Sequence, residues 1–136
     1  MIEGREFLDV AVYLETMDGE AGARSRTGRV YYAAFLESRS FCEQHCGYVL
    51  PGSGREHVEV PRILTEMDPK LAVDLAFLRK HRNIADYQLH LSSETIRQQA
   101  EVAKELANRI IARLDQMTLA RQVAEHSNDP EAPVDQ

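Results

Sequence analysis

Apolar residues in this chain recur at three- and four-residue spacing in segment after segment, and almost nowhere alternate. That spacing gathers side chains on one face of an α-helix and scatters them across both faces of a strand. The single alternating fragment, Val58-Glu59-Val60, runs straight into Pro61. A first amphipathic segment carries Phe7, Leu8, Ala11, Val12 and Leu14 and ends near Asp18-Gly19. A second runs from about Glu20 to Cys46 with Val30, Tyr31, Ala34, Phe35, Ser38, Phe41 and Cys42 in register, Gly28 as an interior weak point and Gly47 as its stop. Pro51-Gly52-Ser53-Gly54 reads as a loop. A short third helix covers about Glu56 to Met67, with Pro61 starting or disturbing it. Asp68-Pro69 opens a fourth, an acceptor at the cap followed by proline at the first helical position. Ser92-Ser93-Glu94 opens a long fifth, with Ile96, Ala100, Ala103, Ala107, Ile110, Ile111, Leu114 and Met117 inside. The fold expected is all-α: an up-down bundle of four to five antiparallel helices in one domain, 1–126. The tail 127–136, with Asp129-Pro130-Glu131-Ala132-Pro133, is expected to be disordered.

A formal net charge of −6 argues against a broad basic surface gripping nucleic acid, and no DNA partner is expected. Local basic sites remain possible. Arg24, Arg26, Arg29 and Arg39 fall in one segment, and Arg79, Lys80, His81 and Arg82 in another. Cys42 and Cys46 share a helix face beside His45, but a zinc site usually needs a second separated pair. They read as packing residues, and neither a metal nor a cofactor is expected. The charged start Met1-Ile2-Glu3-Gly4-Arg5-Glu6 does not resemble a signal peptide, and no apolar run approaches the ~20 residues of a membrane span. A cytoplasmic protein without membrane contact is expected.

One charge breaks the helical pattern. At about 100° per residue, Leu71, Leu75, Leu78, Ala85 and Leu89 form a narrow stripe on the fourth helix. Arg82 falls in its middle, with Asp86 beside it. A guanidinium on an apolar axis is costly to bury unless it is paired or binds an anion.

Two segments together resemble the HEPN superfamily of small helical proteins: Arg29-Val30-Tyr31-Tyr32-Ala33-Ala34-Phe35, and the later Arg82-Asn83-Ile84-Ala85-Asp86-Tyr87. Helix lengths and spacing fit from about Ile2 to Met117. The resemblance implies an up-down bundle and a homodimer, often encoded with a small nucleotidyltransferase as toxin and antitoxin. Active relatives are metal-independent endoribonucleases, with an arginine, a polar residue and then a histidine after four to six intervening residues. The two copies meet in one composite site. Arg82 and Asn83 match the first two positions. Tyr87 stands in the first histidine slot, Gln88 and Leu89 in the others, and His90 lies one residue beyond. The chain thus departs from the nuclease pattern at its base and matches the subgroup with Ala-Asp-Tyr there.

Metal-free RNA cleavage needs a base for the ribose 2′-hydroxyl and a cation for the crowded phosphate. Arg82 suits the cation role. Tyr87, with a reference pKa near 10, is a poor base. His90, eight residues after Arg82, would lie only about 80° around a continuing helix. The site expected is therefore Arg82, Asn83, Asp86, Tyr87 and His90. His81 points away from Arg82, and His57 is expected to cap a helix or sit on the surface. The competing reading is a non-catalytic homodimeric interaction or nucleotide-binding module. There Arg82 and Asp86, four apart, form an ion pair that sets the register of a dimer seam, and breaking it if buried would cost several kcal/mol.

Overall fold

A 3-10 turn, Gly4–Glu6, leads into α1 (Phe7–Leu14), α2 (Glu20–His45), α3 (Glu56–Met67), α4 (Pro69–Tyr87) and α5 (Ser93–Ser127). These elements come from a computed structural model that describes residues 1–127, and no strand occurs among the described residues. Most of the expected tail lies outside them, while Ser127 closes α5.

The caps act as their residue types require. Asp68 Oδ1 accepts from the Leu71 amide at 3.3 Å, with Pro69 at the first position of α4. Ser92 Oγ accepts from the Thr95 amide at 3.2 Å at the start of α5. Beyond α2, Gly47 takes φ 66°, a left-handed turn that a side chain would resist.

Central α2 packs against every other helix. Its buried stripe includes Val30, Tyr31, Ala34, Phe35, Ser38, Phe41 and Cys42, and α5 supplies Ile96, Ala100, Ala103, Ala107, Ile110, Ile111 and Leu114. Gly22 is needed at the α1–α2 corner, where a Cβ would meet the Met17 carbonyl at 2.7 Å. One element departs from expectation: the first helix stops at Leu14 and buries only Ala11, leaving Val12 exposed. Of the two places open to Pro61, it takes the one inside α3.

Helices adjacent along the chain run antiparallel, with one exception. Tyr31 meets His57 and Cys46 meets Met67, so α2 and α3 run side by side in the same direction. The residues between them carry the chain back roughly 20 Å along α2. Gly52 and Gly54 supply the positive φ angles, and Tyr48 anchors the segment by donating to Glu59 at 3.0 Å. This return starts α3 halfway along α2. The short α3 then covers only the first part of α4, so the α4 turns around Arg82 and Asp86 lie beyond its reach, beside α2.

A basic groove between α2, α3 and α4

Pro61 organises the site from a distance. It has no N–H to return to the carbonyl four residues back, which belongs to His57. Arg79 Nη1, from the facing turn of α4, donates to that carbonyl at 3.4 Å. His57 is then fixed on three sides. Its ring stacks on Phe35 at 4.2 Å and 16°, its Nδ1 lies 2.5 Å from the Tyr31 hydroxyl, and the Tyr32 ring stands edge-on at 6.3 Å. It caps nothing: α3 has no side-chain cap.

Tyr32 links this cluster to Arg82. Arg82 Nη2 lies 3.4 Å from the Tyr32 hydroxyl, and its guanidinium carbon is 5.5 Å from the ring centroid. Arg29 approaches the same ring at 5.5 Å and the Phe7 ring at 5.6 Å. Two guanidinium groups thus share one tyrosine, each drawn by the ring's quadrupole. Neither Arg29 nor Arg79 has an ion-pair partner among the described residues.

Arg82 does have one. Its Nε lies 2.9 Å from Asp86 Oδ2, with side-chain exposures of 22 % and 36 %. The Nε–H is not aimed along that line, so the contact is an ion pair without a well-formed hydrogen bond. Asn83 Oδ1 accepts from Arg82 Nη1 at 3.4 Å. Arg82, Asn83 and Asp86 therefore come together as the spacing suggested. Tyr87 closes α4 with 73 % exposure and makes no contact with Arg82 among these. His90 is exposed in the turn after α4, so the rotation that would bring it beside Arg82 on a continuing helix does not apply. Leu89, expected on the apolar stripe, is 74 % exposed for the same reason. His81 faces away from the groove, against Phe77 at 4.9 Å.

The arginine-rich segment of α2 divides by role. Arg24 caps the last turn of α4, donating to the carbonyls of Ala85 at 2.7 Å, Gln88 at 3.0 Å and Ile84 at 3.4 Å. Arg26 pairs with Glu101 and Arg39 with Glu43. Arg29 alone is left for the groove. Sequence reasoning missed Arg29, Arg79, Tyr32 and His57 as one group. The only signal was Pro61, four residues after His57, which leaves a carbonyl that a cation on another helix can meet.

Electrostatics follow from this packing. Burial, then Arg79, Arg82 and Arg39, hold the His57 pKa below the usual histidine value, while Glu56 opposes them. Burial pushes the Tyr31 phenol up to about 12, so it stays protonated. Elsewhere, the Cys42 thiol is pushed up to about 12 by burial, and Cys46 Sγ contacts Met67 Sδ at 3.2 Å, which fits packing. No cluster of three or more His, Cys, Asp or Glu side chains suited to a metal occurs among the described residues. No helix there is long and apolar enough to cross a membrane. A cavity of about 890 Å³ lies away from this cluster, between the N-terminal residues, α2 and α5.

Compared with protein-family models, curated proteins and solved structures, the chain matches none.

Proposed function

We propose that the groove binds the phosphate backbone of RNA, and that the chain is a toxin-type protein of the HEPN kind that works beside a small nucleotidyltransferase. One observation carries this reading. Arg29, Arg79 and Arg82 converge around Tyr32 and His57, with Asp86 the one carboxylate paired with them among the described residues, in a chain of net charge −6. Folding that gathers three guanidinium groups, two of them without an ion-pair partner among the described residues, against overall negative charge suits an anion, and planar donors suit phosphate. Tyr32, partly exposed between two of the arginines, adds a face on which a base can stack.

The rival module reading draws on the Arg82–Asp86 pair and on exposed Tyr87 and Leu89 at the end of α4, which suit a seam with a second copy of the chain.

The test is binding of labelled single-stranded RNA by the full chain, wild type against Arg82→Ala and Arg29→Ala, across a salt series. Three phosphates neutralised would give a slope of log affinity against log salt of about −2. Each substitution is expected to weaken binding several-fold and to shallow that slope. Affinity indifferent to both substitutions would leave the module reading in place.

A further inference from the structure

We infer that His57, held by Tyr31, is the proton-accepting catalytic residue of this groove and takes the role for which α4 offers no histidine. The inference rests on the RNA reading above and gives it a chemical requirement, a ribose 2′-hydroxyl in the substrate.

The geometry is specific. Nδ1 is engaged by the Tyr31 hydroxyl at 2.5 Å, and Tyr31 is itself buried at 1 % exposure, so that contact lies inside the protein. Nε2 has no hydrogen-bond partner among the described residues, yet it is not among the sealed polar atoms, unlike both ring nitrogens of His81. One nitrogen is therefore anchored and the other open. Stacking on Phe35 fixes the plane of the ring, and the Tyr31 contact fixes which edge faces inward. In the tautomer carrying its proton on Nδ1, that N–H donates to Tyr31 and leaves an outward lone pair on Nε2. The groups acting on the ring come from three helices: Tyr31, Tyr32 and Arg39 on α2, Glu56 on α3, Arg79 and Arg82 on α4. Burial first, and then the guanidinium groups among them, hold the imidazole pKa below the usual histidine value.

In the step assigned to it, Nε2 takes the proton of a ribose 2′-hydroxyl. The 2′ oxygen bonds to the adjacent phosphorus, and the bond from phosphorus to the 5′ oxygen breaks. Water protonates the departing 5′ oxygen. The hydroxide so formed takes the imidazolium proton, which returns His57 to its starting state. The products are a 2′,3′-cyclic phosphate and a 5′-hydroxyl, and no oxidant or reductant is consumed. Arg82 steadies the charge that builds on the phosphate oxygens.

The experiment follows cleavage of an end-labelled RNA in excess chelator by wild type, His57→Gln, His57→Ala and Tyr31→Phe, with RNA affinity and Tm measured on each. A matched strand with 2′-deoxyribose throughout serves as a second substrate. Expected are cleavage by wild type of RNA alone, a loss of about 10²–10⁴-fold in His57→Gln with affinity kept, and partial rescue of His57→Ala by free imidazole. The wild-type rate should rise with pH to a plateau through a midpoint below 6.5. Nitrogen-15 shifts of His57 at pH 7.5 should report a proton on Nδ1, a readout independent of activity and available even if a variant fails to fold. RNA binding without cleavage, full cleavage by His57→Gln, or a proton on Nε2 would overturn this inference and leave the phosphate-binding reading standing. Absence of RNA binding by wild type would overturn both.

Discussion

Arg82 and Asp86 stay in reach of solvent, and that decides what removing the arginine does. A half-exposed ion pair contributes about 0.5–1 kcal/mol, and Asp86 left alone can hydrate. Arg82→Ala is therefore expected to lower Tm by only about 2–6 °C while weakening RNA binding several-fold. A drop well beyond 10 °C by calorimetry, with RNA behaviour unchanged, would mark the residue as purely structural. Breaking the same pair sealed in a dimer seam would cost several kcal/mol, so the variant also reads the state of the seam.

Two histidines make the fold sensitive to mild acid. Burial holds both His57 and His81 below the usual value, His81 with both ring nitrogens buried and with Gln99 of α5 opposing the shift. Each group then binds its proton more readily in the unfolded chain. The stability present above pH 6.5 is therefore lost as pH falls from 6.5 through the lower folded values. Urea unfolding at pH 7.5 and 5.5 should show this loss. His81→Gln should flatten part of it, because Gln carries no proton to gain. An unchanged slope in that variant would mean His81 is hydrated in solution.

At the level of elements, α2 carries two glycines with opposite requirements. A Cβ on Gly22 would collide with the Met17 carbonyl, whereas one on Gly28 would meet nothing within 4 Å. Gly28→Ala removes backbone freedom from the unfolded chain and is expected to stabilise by about 0.5–1 kcal/mol. Gly22→Ala should destabilise, because backbone at the α1–α2 corner must shift. Denaturant titration of the pair checks both signs, and a stabilising Gly22→Ala would refute the corner geometry. The end of α4 depends on Arg24 in the same way. The guanidinium meets carbonyls that have no N–H within the helix, and it holds the turn that bears Asp86.

For the whole molecule, an open groove at one end of the bundle beside exposed Tyr87 and Leu89 suits a dimer about the C-terminal half of α4. Sedimentation at micromolar concentration is expected to show a dimer, and Leu89→Glu to convert it to monomer. A wild-type monomer would remove the seam and with it the composite site.

The sequence by itself determined the helices, their caps and their inner faces, because those depend on spacing and on residues within a turn of each other. Asp68-Pro69, Ser92, Gly47 and the stripe through Leu71, Leu75 and Leu78 are all local statements, and local physics settles them. It also singled out Arg82, since a charge on an apolar axis is visible in one helix alone. Tertiary structure decided the company that Arg82 keeps. The run from Cys46 to Arg55 turns back along α2, so α3 begins beside Tyr31 and Arg79, and Arg82 lies beyond that end, uncovered. His57, Tyr32, Arg29 and Arg79 meet there from three helices, separated along the chain by up to fifty residues. No periodicity links residues so far apart. Their meeting depends on loop direction and helix length, and it places an imidazole where α4 supplies none.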